Sequence, residues 1–251
     1  MPLLAIAIPP VPDLLFASAV LVVAYTLFSL SGFGSALIAG APLATVLPVS
    51  RVIPLLALLD CLGSVRRAWL SRHAIDLMQL RALLPAMLVG QLLGVQALSQ
   101  LPQRGLALLM GGFVITYGLG KLLFARPPSP PRRHGALLAG LGGGVLGGLF
   151  GSGGFVYASY LEQRLPERQQ FRATQAVLIG LSTAWRLLLC ALGGLIDGQL
   201  LIIAFSLLPA AWLGDWLGKH IDLRLSRAQL TRLIHLLLVA SGANLILRIL
   251  H

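Results

Sequence analysis

Two stretches of the chain carry the same pattern of prolines and glycines. Pro85, Gly90 and Gly94 have the spacing of Pro209, Gly214 and Gly218, and Ala74-Ile75-Asp76 precedes the first set as Leu195-Ile196-Asp197 precedes the second. Further along, four residues of each stretch fall in the same register: Leu101, Leu106, Leu109 and Gly118 in the first, and Leu225, Leu230, Leu233 and Gly242 in the second. The chain is therefore predicted to contain two copies of one unit. Duplication in an apolar chain is typical of membrane transporters, whose substrate site lies between the copies near the middle of the bilayer.

The chain is too apolar for a water-soluble protein of its size. Of its 251 residues, 57% are hydrophobic and 11% are charged, which leaves too few polar side chains to cover a surface in water. Apolar stretches near the roughly 20 residues that cross a bilayer as a helix recur along its length. We therefore expect an all-α polytopic membrane protein without a separate soluble domain. The first 12 residues lack the basic region of a cleaved signal peptide, so residues 13–29 are predicted to be a retained first span.

The cysteines and the glycine-rich motifs argue against several kinds of site. Cys61 and Cys190 each lie in an apolar stretch, without a CxxC motif or a Cys/His cluster nearby. We therefore expect neither a structural disulfide nor a metal site, and no cofactor. The motif Gly151-Ser-Gly-Gly154 is not followed by the Gly-Lys-Ser/Thr of a phosphate-binding Walker loop. Transport driven by ATP is therefore disfavoured for this chain alone.

Basic residues are concentrated in a few connections between apolar segments. The net charge is +11, and most of the 19 basic residues lie in four groups: Arg66, Arg67, Arg72 and Arg81; Lys121, Arg126, Arg132 and Arg133; Arg164, Arg168 and Arg172; Lys219, Arg224, Arg227 and Arg232. This clustering is typical of the cytoplasmic loops of membrane proteins. The charge is therefore expected to lie beside membrane lipid, and no nucleic-acid partner is expected.

The charges also indicate how the two copies are oriented. The connection that contains Asp76 carries four arginines, while its counterpart around Asp197 carries none. The connection after Gly94 has a single arginine, while its counterpart after Gly218 is basic. Equivalent loops are therefore expected on opposite sides of the membrane. This predicts inverted repeats that each cross the membrane an odd number of times, with both termini outside.

Five crossings in each copy fit this arrangement. Spans are predicted near 13–30, 33–48, 51–66, 79–98 and 105–123 in the first copy, and near 135–149, 152–164, 171–192, 199–218 and 229–250 in the second. Residues 1–125 then form the first transmembrane repeat and residues 135–251 the second. The stretch between them, 126–134, reads Arg-Pro-Pro-Ser-Pro-Pro-Arg-Arg-His and is predicted to be a stiff linker on the cytoplasmic side.

The second element of each copy follows a glycine-rich break. Ser31-Gly-Phe-Gly-Ser35 leads into one short segment, and Gly151-Ser-Gly-Gly154 leads into another. Broken helices at membrane depth are tolerated only beside protein or a wet cavity, and the positive ends of their dipoles favour anions. We therefore expect both breaks to line a substrate site. Alternatively, glycines simply permit close helix packing, which is the interpretation preferred for Gly140, Gly144 and Gly148.

Charged residues inside apolar segments are the other candidates for a role in transport. Arg172, Gln175, Ile179, Thr183 and Arg186 follow one another at helical spacings of three and four, so they share one face. Arg186 lies well inside its segment, where an arginine is expensive unless it faces a cavity or a partner. We expect it to bind substrate, with a buried structural ion pair as the alternative. Asp60 lies midway along its own span and is the candidate to pair with Arg186 or to carry a coupling proton.

Several motifs of the second half resemble one known family. Gly147-Gly-Leu-Phe-Gly-Ser-Gly-Gly154, then Tyr160-Leu161, Phe171-Arg-Ala-Thr174 and Arg186, are similar to the second half of the TauE/SafE family of anion transporters. The resemblance covers nearly the whole chain. It implies a multi-pass protein of a bacterial inner membrane that moves sulfite, sulfoacetate or related organosulfonates or carboxylates, usually coupled to an ion. Relatives often have prolines directly after the glycines, where this chain has Phe155 and Val156, so a differently shaped pocket is expected.

Three kinds of function compete at this point. The first is a secondary transporter of small anions that alternates access around a central site, coupled to protons or sodium. The second is an intramembrane enzyme, which would need a nucleophile with a base, paired acids or a metal cluster that the sequence does not show, so no catalytic residue is assigned. The third is a passive channel or a membrane scaffold, which saturable, gradient-dependent flux would exclude. The sequence leaves the substrate, the direction, the coupling ion and the oligomeric state open.

The residues expected to bind the substrate are Ser31, Gly32, Gly34, Ser35, Gly151, Ser152, Gly153, Gly154, Arg172, Gln175, Thr183 and Arg186, with Asp60 as the coupling candidate.

Overall fold

The protein is helical throughout the residues that the structure describes. The computed structural model describes residues 10–31, 35–70, 74–123, 135–220 and 227–250, and no strand is found in these ranges. The helices are α1 (Val11–Ser31), α2 (Ser35–Leu43), α3 (Val49–Leu70), α4 (Leu77–Gln100), α5 (Gln103–Leu123), α6 (Gly135–Phe150), α7 (Gly154–Glu162), α8 (Arg168–Leu192), α9 (Gly198–His220) and α10 (Arg227–Leu250). The predicted linker 126–134, Gly32, Gly34 and the side chain of Ser31 lie outside the described residues.

Six of the described helices are long and apolar enough to cross a bilayer. They are α1, α4, α5, α8, α9 and α10, and their apolar stretches contain 19 to 25 residues. Helix α3 is as long, with 22 residues, but includes charged side chains such as Arg51 and Asp60. Helix α6 is shorter, with 16 residues. The prediction of an all-α, polytopic membrane protein is therefore confirmed.

The helices that follow the glycine breaks are the shortest in the described part of the chain. Helices α2 and α7 have nine residues each, which corresponds to about 14 Å at the rise of an α-helix, less than half of the hydrocarbon thickness of about 30 Å. The expectation of five crossings in each copy is therefore not met by helix length alone. The physical reason is local, because Pro42 lies at the end of α2 and Pro166 disfavours helix in the residue before it, just beyond α7.

The helices pack in pairs that recur between the two halves. Helix α4 lies along α6 and α9 along α1, while α5 pairs with α10 and α3 with α8. If each helix of α1–α5 is exchanged for its counterpart in α6–α10, the α4–α6 pair becomes the α9–α1 pair. The α5–α10 and α3–α8 pairs are each left unchanged. Gly111 faces Gly242, and Gly118 faces Val239. Residues with higher numbers on α5 therefore contact residues with lower numbers on α10. The last helices of the two predicted copies therefore run antiparallel, and inversion of the whole repeats across a bilayer stays a prediction.

Glycines allow α4 and α6 to approach closely. A Cβ atom added at Gly140, Gly144 or Gly148 of α6 would lie 2.5 to 2.8 Å from backbone carbonyl oxygens of α4. At Gly90 and Gly94 of α4, the added atom would lie 2.4 and 2.5 Å from carbonyl oxygens of α6. Any side chain at these positions would push the two backbones apart. The packing interpretation of the α6 glycines is therefore confirmed.

Aspartates cap the first turns of two equivalent helices. The Asp76 carboxylate accepts a hydrogen bond from the Gln79 N–H at 2.9 Å, before α4, and the Asp197 carboxylate accepts one from the Leu200 N–H at 2.7 Å, before α9. Such caps satisfy N–H groups that have no acceptor inside the helix. The recurrence of the Ile-Asp pair in both halves is explained by this structural role.

Candidate functional site

Helix α6 ends in a glycine turn that leads directly into α7. Gly151 has a φ of +68°, in the left-handed region that glycine adopts without steric penalty. Its N–H donates to the Gly147 carbonyl at 3.0 Å, and the Ser152 N–H donates to the Leu146 carbonyl at 3.3 Å. The first of these is the single bond with which a left-handed glycine commonly closes a helix C-terminus, and the second reaches two residues further back than an α-helical bond would. The second glycine break is therefore a sharp turn whose shape depends on Gly151.

The turn at Gly151 contacts residues from both halves of the chain. A Cβ atom added to Gly151 would lie 2.6 Å from Ala36 Cβ and 2.8 Å from Arg186 Nη1. Ala36 belongs to the first turn of α2, and Arg186 belongs to α8. The structure thus places Arg186 beside the second glycine break and next to the start of the short helix in the first half. A side chain at position 151 would displace the guanidinium or α2.

Arg186 is buried, and its guanidinium has unused hydrogen-bonding capacity. The residue is 2% exposed, and Nη1 donates to the Gly147 carbonyl at 3.1 Å. Its Nε and the nearby Ser152 Oγ are both buried without a hydrogen-bond partner among the described residues. No carboxylate in the described ranges lies within ion-pair distance of Arg186. A buried charge without a partner is expensive, so this site favours an anionic ligand.

The two glycines after Ser152 differ in how tightly they are packed. A Cβ atom at Gly153 would lie 2.2 Å from the Gly143 carbonyl oxygen, whereas one at Gly154 would meet only the flexible Ile179 side chain, at 3.3 Å. The first backbone bonds of α7 run from Val156 and the residue after it to the Gly153 carbonyl. The N–H groups of Gly153 and Gly154 precede these bonds and belong to the positive end of α7. Gly154 is the more open of the two positions.

The described part of the first glycine break holds a carboxylate. The Ser35 hydroxyl, at the first residue of α2, donates to Asp60 at 2.6 and 2.8 Å to its two oxygens, and the Tyr25 hydroxyl donates at 2.6 Å. Ser35 is fully buried and Asp60 is half-buried. Asp60 therefore has partners on α1 and α2. It does not form the predicted ion pair with Arg186.

The polar face of α8 runs from the surface into the interior. Arg172 is exposed, Gln175 is half-buried, and Thr183 and Arg186 are buried. Fourteen residues separate Arg172 from Arg186, which corresponds to about 21 Å along a helix. The structure therefore brings Thr183 into the neighbourhood of Arg186 and leaves Arg172 far from it. A site for one small anion cannot include both arginines in this conformation.

Gln91 is a residue of this region that the sequence analysis missed. It lies on α4 with no exposed surface, and its Nε2 donates to Ser182 Oγ at 2.7 Å and to the Ser182 carbonyl at 3.0 Å. The absence of a side chain at Gly147 leaves the room, because a Cβ atom there would lie 3.2 Å from Gln91 Nε2. Gln91 Oε1 is buried without a partner within the described ranges. An uncharged polar residue in the middle of an apolar span was the available signal.

Phe155, the second residue of α7, packs into a group of aromatic rings. Its ring centroid lies 4.4 Å from that of Tyr117 and 6.1 Å from that of Phe113, both on α5. Phe113 also stacks on Phe150, the last residue of α6, at 5.3 Å. Phe155 therefore adds apolar contact between α5 and the start of α7.

Comparisons with known proteins add a family to this geometry. A family model described as Sulfite exporter TauE/SafE matches residues 16–245. The "Probable inner membrane transporter protein TsaS" of Comamonas testosteroni is 28% identical over 193 residues, which are 76% of this chain and 81% of that protein. No solved structure matches the chain.

Proposed function

The chain belongs to the Sulfite exporter TauE/SafE family, and on that premise we propose that it is a secondary transporter of small sulfur-containing anions. The family and the name of the relative indicate a multi-pass transporter of the inner membrane, not an enzyme. Within that class, the proposed substrates are sulfite, sulfoacetate or other organosulfonates, with small carboxylates as a further possibility. Movement would follow alternating access around a central site, driven by coupling to protons or sodium.

One observation carries the proposal for the substrate site. Arg186 is buried at 2% exposure, and its Nε has no partner among the described residues while the neighbouring Ser152 Oγ also lacks one. A sulfonate or sulfite oxygen would accept hydrogen bonds from both groups, and charge-assisted bonds to guanidinium are among the stronger ones in proteins. The N–H groups at the start of α7 would add donors for the same anion. The predicted binding role of Arg186 and of the second glycine break is retained in this form.

The packing supports an alternating-access mechanism. The paired helices map onto each other when the halves are exchanged, and α5 and α10 run antiparallel. If the two copies are inverted repeats, as proposed, the outward-open and inward-open conformations would be related by exchanging the roles of the two copies. The short helices α2 and α7, with Ala36 and Gly151 in contact, would form the part of each copy that faces the substrate.

Asp60 is the proposed coupling residue. Its carboxylate accepts hydrogen bonds from Tyr25 and Ser35 at the start of α2, close to the helix that contacts the Gly151 turn. A half-buried carboxylate inside a membrane protein is a suitable carrier for a proton or ligand for a sodium ion. Asp60 and Arg186 do not form an ion pair with each other, so the cation and the anion are assigned to separate sites.

Binding and flux measurements on the purified protein test the proposal. The protein in detergent is titrated with sulfite, sulfoacetate, taurine, thiosulfate and small carboxylates, and the bound anion is then used in proteoliposomes. We expect saturable uptake that depends on a proton or sodium gradient. Flux that rises linearly with concentration and ignores both gradients would indicate a channel, and failure to bind any of these anions would contradict the proposed substrate class.

A further inference from the structure

Four buried polar atoms near the Gly151 turn lack hydrogen-bond partners in the described residues. They are Gln91 Oε1 on α4, Ser152 Oγ after the turn, Tyr157 Oη on α7 and Arg186 Nε on α8, and each residue is at most 3% exposed. Leaving one such atom unpaired costs about 1 to 3 kcal/mol, and native proteins rarely leave several in one region. A ligand that pairs with all four would remove this cost.

The four atoms lie around the end of α6 and the turn that follows it, where Tyr157 Oη is 3.0 Å from the position that a Gly153 Cβ would take. Arg186 donates to the Gly147 carbonyl, and Gln91 Nε2 lies 3.2 Å from where a Gly147 Cβ would be. Gln91 also donates a hydrogen bond to Ser182, which lies one helical turn before Arg186 on the same face of α8. The Gln91 amide is thus held beside the guanidinium that we assign to anion binding.

The orientation of the Gln91 amide follows from its partner. The Ser182 carbonyl oxygen, 3.0 Å away, only accepts hydrogen bonds, so the amide nitrogen must be the atom that faces it. Both Nε2 hydrogens are then directed at Ser182. The atom left over is Oε1, which only accepts.

The unpaired atoms therefore differ in what they require of a ligand. Arg186 Nε only donates, and the hydroxyls of Ser152 and Tyr157 donate or accept, so anionic oxygens satisfy all three, whereas Gln91 Oε1 needs a hydrogen-bond donor. We propose that Gln91 is a specificity-determining residue that selects anions carrying a hydroxyl or another donor beside the anionic group. This inference rests on the proposed function, because it assumes that Arg186 binds the anion.

Two sulfonates of equal size test the inference. Isethionate carries a terminal hydroxyl where propanesulfonate carries a methyl group, so the pair differs in one donor. Because a site built to bond a polar group rejects an analogue that lacks it, the parent protein should bind isethionate about tenfold more tightly. In Gln91→Leu this ratio should fall to about one, through loss of isethionate affinity, while propanesulfonate affinity changes little. Gln96→Leu, at an exposed position of the same helix, is the control and should keep the parent ratio.

The outcomes separate this inference from the proposed function. A parent that binds both sulfonates equally, or a Gln91→Leu variant that keeps the preference, overturns the role of Gln91 and leaves the anion site standing. A parent that binds neither sulfonate nor sulfite overturns both. Should Gln91→Leu give no folded protein, Gln91→Met, which is unbranched and of similar length, takes its place with the same expected ratio.

Discussion

Arg186 is the buried charge on which the proposed anion site depends. Its guanidinium donates to the Gly147 carbonyl, and no carboxylate of the described residues pairs with it. Its burial therefore requires either a permanent partner or a charged ligand that comes and goes. The Ser152 hydroxyl, one residue after the Gly151 that lies beside the guanidinium, is also unpaired, which favours the ligand.

Arg186→Lys should keep the charge but lose most of the anion affinity. Lysine offers a compact ammonium in place of a planar fork, so it cannot reproduce two directed hydrogen bonds to one oxyanion. We expect the dissociation constant for the bound anion to rise about tenfold or more, measured by calorimetric titration of the purified variant. Arg104→Lys, at an exposed position in the first turn of α5, is the matched control. Unchanged affinity in a folded Arg186→Gln protein would assign the residue a structural role.

Asp60→Asn should separate coupling from binding. The amide oxygen of asparagine can still accept hydrogen bonds from Tyr25 and Ser35. The amide does not take up a proton near neutral pH, however, and it offers no full negative charge to a cation. We expect anion binding close to that of the parent and loss of gradient-driven accumulation in proteoliposomes. Asp215→Asn, which breaks the exposed ion pair with Lys219, serves as the control. Accumulation that still follows the gradient in Asp60→Asn would exclude Asp60 as the coupling residue.

At the scale of elements, glycines serve two different purposes in neighbouring segments. In α6 they line up against backbone atoms of α4, so each one sets the distance between two helices. In the break after α6, Gly151 closes the helix with a positive φ, and Gly154 opens α7 with only the Ile179 side chain nearby. Amino-acid composition does not distinguish these two uses. The atoms that surround each glycine do, because they are backbone atoms of a neighbouring helix in one case and a flexible side chain in the other.

Gly154→Val and Gly140→Val should therefore fail in different ways. An added Cβ at Gly154 meets a flexible side chain at 3.3 Å, while at Gly140 it meets Ala86 Cβ at 2.6 Å and a backbone oxygen at 2.8 Å. Overpacking against backbone typically costs about 1 to 3 kcal/mol or more. We expect Gly140→Val to lower the yield of detergent-stable protein, and Gly154→Val to give near-normal yield with anion binding lost. If Gly154→Val binds the anion as tightly as the parent, the start of α7 is only a packing device.

At the scale of the whole molecule, the pairing of α1 with α9 and of α4 with α6 ties each half to the other. Arg51, at the start of α3, also donates to Asp197 and Gln199 at the start of α9, at 3.0 and 2.8 Å. No single helix pair holds the two halves together, so the fold resembles two interleaved units more than two separate domains. Rearrangement between them would require sliding at several glycine-lined contacts at once.

Thiol labelling tests the predicted inversion of the repeats. Leu77 and Gly198 are exposed and follow the capping residues Asp76 and Asp197 directly, so they occupy equivalent positions. With Cys61 and Cys190 replaced by alanine, a cysteine at position 198 should react with a membrane-impermeant reagent added to intact cells. A cysteine at position 77 should react only after the cells are opened. Reaction of both from the same side would restore a parallel repeat.

Much of the fold was predictable because its signals are local. Long apolar stretches define the long helices, and the predicted spans at 171–192 and 199–218 differ by only a few residues from α8 and α9. The short segments were predicted less well, since a proline or a glycine turn ends a helix without changing how apolar its neighbours are. Arg186 was identifiable for the same local reason, as a charge inside an apolar run.

The sequence by itself determined the membrane character, the order of the helices, the family and the residues worth testing. Only the tertiary structure decided which of those residues meet. It placed Arg186 beside Gly151, with Ala36 on the other side of that glycine, and gave Asp60 partners other than Arg186. It also brought Gln91 to Ser182, 91 positions away in the chain. The physical reason is that such distances depend on which helices pack together and how closely their glycines let them approach, and neither is set by the local run of residues that forms each helix.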